Sequence, residues 1–412
     1  MAQVRKPMIS WRRNLYAVWF AQLVAIIGFT VVLPILPLYV RELGVQDEQQ
    51  VRIWAGVTYS ASSVTLAVFG PIWGAISDRH GRKIMVERAM FGGAVLIILM
   101  GFAQSVRQLA LLRLVQGAVT GLTTAANTLV AATAPRERAG YALGLLQMAL
   151  YVGASAGPLL GGLISDSFGY RIAFWVTGAL LLLAGMVVLV FVKEAFPPTE
   201  QRGDQGTVNG ERLTVRHRVW RHLAPALGST PVLVVLGMRV LTRMGARVVS
   251  PVLPLFIESI APTGARVASI TGLISGVSAA AGAAGALWLG QLGDRVGSRR
   301  ILILCALASA LCYAPQSFVS SPTWLLPMQA VGGLAMGGIL ASISASLARL
   351  APEGQEGVVY GVSGSAMGIA SVIGPMTGSA VAVWLGLGAP FLLAAAVFAV
   401  SAIAAALLLP RR

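Results

Sequence analysis

Three arginines stand four residues apart in one apolar stretch: Arg239, Arg243 and Arg247. On a helix each step of four residues drifts by only about 40°, so all three fall within about 80° on one face and cover about 12 Å of the axis. A guanidinium carries a permanent charge and five donors, and its fork matches a carboxylate or a phosphate. A stripe of three can therefore recognise a phosphate, a carboxylate or a lipid headgroup. A fourth cation, Arg113, lies in another apolar stretch, with Gln116 three residues on. None of the chain's 15 carboxylates sits in the middle of such a stretch, so the four cations have no obvious internal partner. If the stretches cross a bilayer, each buried charge costs at least about 2.5–3.5 kcal/mol, which makes it a functional candidate. The plainer alternative is that Arg239 and Arg247 snorkel to the two membrane faces, leaving only Arg243 inside.

The composition requires that the stretches do cross a bilayer. Of 412 residues 56% are apolar and 11% are charged, against about 25% charged in a soluble domain. That excludes an ordinary soluble enzyme, a disordered chain and a secreted disulfide scaffold. Twelve runs reach the length of about 20 residues that a spanning helix needs. They cover 15–40, 54–77, 84–104, 108–133, 140–164, 172–192, 231–257, 268–292, 301–318, 324–348, 357–384 and 389–409. The first is too long for the apolar core of a cleavable signal peptide. The polar stretch between the sixth and seventh divides the chain into an amino-terminal bundle (1–192), a central loop (193–230) and a carboxyl-terminal bundle (231–412). Lys and Arg in the connecting segments number 22 on one side and five on the other. The positive-inside rule then puts both termini and the central loop in the cytoplasm. This also accounts for most of the net charge of +16, so nucleic acid is not expected as a partner. Cys305 and Cys312 are too far apart on one helix for a disulfide. The three histidines lie in loops and the chain has no HExxH, GxSxG or GxxxxGK[ST] sequence. No metal site, cofactor or enzymatic activity is expected.

The two bundles are internal repeats offset by 216–217 residues. Pro34-Ile35-Leu36-Pro37-Leu38-Tyr39 returns as Pro251-Val252-Leu253-Pro254-Leu255-Phe256. GAISDRHGRK from Gly74 to Lys83 returns as GQLGDRVGSR from Gly290 to Arg299, Gly157-Pro158 as Gly374-Pro375, and Phe174 as Phe391. Repeated six-helix units mark transporters whose site lies at midplane between rocking halves. In the repeated loop Asp78 lies near Arg79, Arg82 and Lys83, and Asp294 lies beside Arg295. An acid among cations is a charge latch whose partners can change between states. Gly81 and Gly297 suit tight turns. In the fifth span Gly153, Gly157 and Gly161 form a smooth face for a close helix neighbour, and Pro158 bends the helix.

These residues resemble the major facilitator superfamily over the whole chain. Gly74-Ala75-Ile76-Ser77-Asp78-Arg79-His80-Gly81-Arg82-Lys83 matches its signature loop, and Arg113-Leu114-Val115-Gln116-Gly117 looks like its RxxQG motif. Gly144, Gly153, Gly157, Pro158, Gly161 and Gly162 match the antiporter pattern GxxxxxxxxGxxxGPxxGG at every fixed position. Within the twelve-helix drug:proton antiporter branch the chain resembles the MdtG-like group of bacterial multidrug efflux proteins. The resemblance implies an all-α membrane protein of twelve spanning helices in the bacterial inner membrane, monomeric, exchanging protons for a small molecule by alternating access. It also implies that spans one, four, seven and ten line a central cavity, that the loop locks the cytoplasmic side, and that the fifth span seals the halves. Gln22, Tyr59, Gln147, Tyr151, Gln329, Tyr360 and Met367 are further cavity candidates, suiting an apolar pocket with a few polar anchors. Many drug:proton antiporters of this branch carry an acid in the first or fourth span; this chain has none. The expected cargo is accordingly amphipathic or anionic. A lipid or lysolipid flippase and an organic-anion exchanger of the same fold remain alternatives. A non-transporting receptor is disfavoured by the intact antiporter pattern.

Overall fold

The computed structural model describes residues 11–135, 138–194, 230–350 and 356–409, and their regular structure is helical throughout. In a bilayer core no water is available to backbone amides, and a helix pairs them within its own segment. In the first half α1 is Trp11–Val32, α2 Leu36–Glu42, α3 Glu48–His80, α4 Arg82–Gly101, α5 Val106–Val119, α6 Leu122–Thr133, α7 Ala139–Phe168 and α8 Tyr170–Phe191. In the second half α9 is Thr230–Val248, α10 Leu253–Ile260, α11 Val267–Val296, α12 Ser298–Gln316, α13 Pro322–Leu350, α14 Glu356–Leu385 and α15 Ala389–Leu408. Eleven helical stretches among the described residues are long and apolar enough to cross a membrane. The helix α9 is not one of them, because three arginines interrupt its 19 residues.

Three of the expected spans are broken. A 3-10 turn over Leu33–Ile35 separates α1 from α2 at Pro34 and Pro37, and α9 gives way to α10 at Pro251 and Pro254. Each proline removes an amide donor and crowds the preceding turn. These are the same prolines in the two repeats. The third break, between α5 and α6, lies at Thr120 and Gly121, where Gly121 takes φ +132°. Carbonyls left free there are collected by side chains. The Trp73 indole donates to the Ala118 carbonyl at 2.6 Å and Arg88 to that of Thr120 at 3.4 Å, with the guanidinium stacked 3.6 Å from the Trp73 ring.

Buried apolar residues form two clusters, one drawn almost wholly from α1–α8 and the other from α9–α15. The repeat reappears in side-chain detail. Tyr39 and Phe174 pack with ring centroids 4.9 Å apart, and their counterparts Phe256 and Phe391 also pack at 4.9 Å.

The halves meet along α7 with α11 and α3 with α14. They are closed at what we call the far end, where α2 and α10 finish. There the Asp166 carboxylate accepts the Ser269 amide at 2.7 Å, and Arg52 donates to the Ala382 carbonyl at 2.9 Å. Nearer the middle Ser155 donates to Gly276 at 2.9 Å and Ser60 to Val372 at 2.8 Å. Small residues permit this approach. A Cβ at Gly162 would sit 2.7 Å from both the Ala268 carbonyl carbon and the Ser269 Cα, while one at Gly144 would meet nothing within 4 Å. Both contact atoms of Gly162 are backbone, so they cannot rotate aside. Gly162→Ala should therefore cost about 1–3 kcal/mol as an overpacked contact and lower the melting temperature in detergent. Gly144→Ala should leave it unchanged; equal melting temperatures for the two would refute this account of the seal.

Candidate functional site

A cavity of about 550 Å³ opens between the halves beside the two proline breaks. Its walls come mainly from α1, α3, α7, α9, α11 and α13, with the start of α10 and Tyr313 of α12. Ile26, Leu150, Val249, Leu253 and Met336 make it mainly apolar, and Gln147, Tyr151, Arg243, Arg247 and Gln329 are its polar anchors. A side chamber of about 190 Å³ lies against it and contains Arg113 and Gln116. Thr30, Leu33, Tyr59 and Arg247 line both spaces.

The α9 stripe supplies the cations. Arg247 lies in its last turn, where the free carbonyls and the helix dipole favour positive charge. Arg243 is one turn back; its Nε is buried with no hydrogen-bond partner among the described residues. Arg239 points elsewhere: its Nε donates to the Met367 sulfur at 3.1 Å, and it is not part of either wall. The drift of about 40° per step, combined with the break at Pro251, leaves two of the three facing the cavity. Snorkelling of Arg247 is not observed; it stays inside, between Tyr59 and Gly374.

Arg113 is almost wholly buried. Its Nε donates to the Thr58 carbonyl at 3.1 Å and its NH1 to Gln116 Oε1 at 2.8 Å. It thus ties α5 to α3 and holds Gln116 still. Close packing beside it depends on Gly117, where a Cβ would lie 2.6 Å from the Ser62 carbonyl carbon. Among the described residues neither Arg113, Arg243 nor Arg247 has a carboxylate partner, and neither space is lined by an acid.

Several sequence candidates lie elsewhere. Gln22 is buried between α1 and α7, donating to the Leu146 carbonyl at 3.1 Å, and is not in the cavity wall. Gln329 lines the cavity but is tied down, donating to Gln316 at 3.0 Å. The Tyr360 side chain, and those of Gly74, Asp78 and Arg79, lie outside the described residues. Of the remaining loop residues, Gly81 and Gly297 take φ of 100° and 102°. The backbone amides of Arg82 and Lys83 donate to Glu194 at 2.9 and 2.8 Å. Asp294 is 3.5 Å from Arg349, with both side chains largely exposed, and Arg295 is exposed in the last turn of α11.

The antiporter-pattern residues divide by face. Gly153, Gly157 and Gly161 lie against Ile26, Thr30 and Val31 of α1, inside their own half. Contact with the other half falls to Gly162 and to the Pro158 carbonyl, which lies against Gly272. Thr30 is a cavity residue that the sequence did not single out; it donates to the Gly153 carbonyl at 3.0 Å. A threonine one turn before a proline break carries little signal by itself.

The family model for the Major Facilitator Superfamily matches residues 18–259 and 235–412. The chain belongs to the major facilitator superfamily. It is 34% identical over 389 residues to the multidrug resistance protein MdtG of Escherichia fergusonii, covering 94% of this chain and 92% of that one. Both findings agree with the resemblance carried by the loop and span-five motifs. Among solved structures, the nucleoside transporter NupG superposes with a TM-score of 0.76 at 13% identity, covering 95% of this chain and 99% of that one. A bacterial homologue of the human lysosomal transporter Spinster, in an inward-facing and unoccupied conformation, superposes with a TM-score of 0.71 at 15% identity, covering 97% and 95%. At such identities the agreement is one of fold. The superfamily fold and the polytopic helical architecture make this chain a membrane transporter.

The two buried polar anchors predict different behaviour on substitution. Gln22→Leu removes one hydrogen bond away from the cavity and should cost about 1 kcal/mol of stability with transport unchanged. Arg113→Leu removes two bonds to a charged donor and should cost more, about 3 kcal/mol, and impair transport. Thermal unfolding paired with vesicle uptake separates these; an Arg113→Leu protein with normal stability and transport would contradict the assignment.

Proposed function

We propose that this protein exports amphipathic small molecules bearing an anionic group, in exchange for protons, by alternating access. The observation that carries the reading is the pair Arg243 and Arg247 facing a largely apolar cavity with no carboxylate in its wall among the described residues. An isolated cation there favours a ligand that brings a carboxylate, sulfonate or phosphate, and the apolar wall favours a hydrophobic body. The MdtG relatives, named multidrug resistance proteins, support export of drug-like cargo. The predominance of cations in loops at the near end, where α1 begins, supports placing that end in the cytoplasm of a bacterial inner membrane, as positive-inside bias requires. Residues 1–192 and 231–412 would then be the two rocking units, and the far end would face outward.

Transport measured in vesicles tests this. Arg243→Ala and Arg247→Ala should each reduce uptake of an anionic amphiphile at least tenfold while leaving membrane insertion intact. A labelled lysolipid run beside it distinguishes a soluble cargo from a lipid one. Wild-type uptake in both variants would remove the cationic wall from the mechanism.

A further inference from the structure

We propose that Glu258, held with Glu48 on the single guanidinium of Arg41, is a proton-sensitive latch of the far end, whose protonation favours the closed arrangement of the two halves. The proposal adds to the proton-exchange reading above a group through which outside pH acts on the far end, in a chain where no acid lies mid-span.

The first support is position. Arg41 lies in α2 and Glu258 in α10, at an interval of 217 residues, which is the interval of the internal repeat. They occupy the same place in the two halves and so meet where those halves face each other. The Arg41 NH1 lies 2.7 Å from Glu258 Oε1, and its NH2 lies 2.6 Å from Glu48 Oε1. Opening the far end must separate Arg41 from Glu258.

The second support is charge. Two carboxylates on one guanidinium leave a net charge of −1, and like charges this close raise the proton affinity of one member. The second oxygen decides which member. Glu258 Oε2 is buried with no hydrogen-bond partner among the described residues. An ionised carboxylate leaves that oxygen short of donors, and protonation lowers the cost by removing the buried charge. Glu48 is more exposed, at 53% against 32% for Glu258. The exposure of Glu258 is still enough for water to reach it. Burial lifts the Glu258 carboxyl above its ordinary value, Arg41 opposes the rise and Glu48 adds to it.

Of the other charged groups on these elements, two acids have partners of their own. Glu42 of α2 lies 3.4 Å from Arg171 of α8, and Asp166 of α7 accepts the Ser269 amide. Tyr170 packs beside Tyr39 at 6.5 Å between centroids, and Arg266 precedes α11. Among the described residues Glu258 is thus the acid that both bridges the halves and has an unsatisfied oxygen.

The sign follows from the cost of burial. A carboxyl whose proton affinity is higher in the closed state takes up a proton as the far end closes. Acid therefore favours a closed far end, and rising pH favours opening. Acid outside would thus hold the far end shut, and loss of the proton would release it.

Spin labels at Gln46→Cys and Thr263→Cys, in full-length protein with Cys305 and Cys312 replaced by Ser and held in nanodiscs, report the far-end distance from the ordinary carboxylate range, about pH 4, up to about pH 8.5 without any substrate. The expected result is a shift to longer distances as pH rises. Glu258→Gln, which imitates the protonated group, should hold the short distance at every pH. Glu258→Asp, which keeps the acid, should retain a displaced shift. A pH-independent wild type, or Glu258→Gln with the wild-type shift, overturns the proposal. Because no cargo is present, that result leaves the anionic-cargo reading standing, and failure of that reading in vesicles leaves this one standing.

Discussion

A guanidinium taken out of water must find donors' partners or counter-charge, or the fold carries a penalty of several kcal/mol. Three guanidiniums here, on Arg113, Arg243 and Arg247, border the spaces between the halves without a carboxylate among the described residues. The surrounding structure shows how that positive charge is tolerated. Arg113 takes the Thr58 carbonyl and Gln116, and Arg247 sits in the last turn of α9, where carbonyl dipoles point at it. Arg243 retains a donor with nothing to meet. The prolines that break α1 and α9 create room at the same level, since both breaks contribute to the cavity wall.

Helix number, the duplication and the family could be read from residues alone, because apolar runs of about 20 residues and repeated Gly-Pro landmarks carry strong signals. The finer geometry was less accessible. The repeated prolines marked where α1 and α9 break, yet each run stays apolar across the break. The division at Gly121 had no proline to announce it. Helical periodicity placed the three arginines on one face but could not say how wide the cavity is, so Arg239 falls outside it. Gln22 illustrates the same limit: a polar residue in a cavity-lining helix pairs with a carbonyl of its own half. The Arg41–Glu258 contact joins equivalent positions of the two repeats, 217 apart, but the interval alone does not tell which such pairs touch.

The seal and the cavity depend on each other. Gly162 and Gly272 bring α7 and α11 backbone to backbone, and Asp166 and Arg52 add polar contacts at the far end. Close backbone contact there holds the halves together, and the wall above it is mainly apolar. Charge buried in such surroundings is felt strongly by whatever enters.

Affinity for a matched pair of ligands tests the central claim most directly: two amphiphiles with one hydrophobic body, one ending in a carboxylate and the other in a trimethylammonium. Calorimetry on the purified protein at low salt should find the carboxylate bound at least tenfold tighter. Equal affinity, or tighter binding of the trimethylammonium ligand, would contradict the account of an anion-selecting cavity.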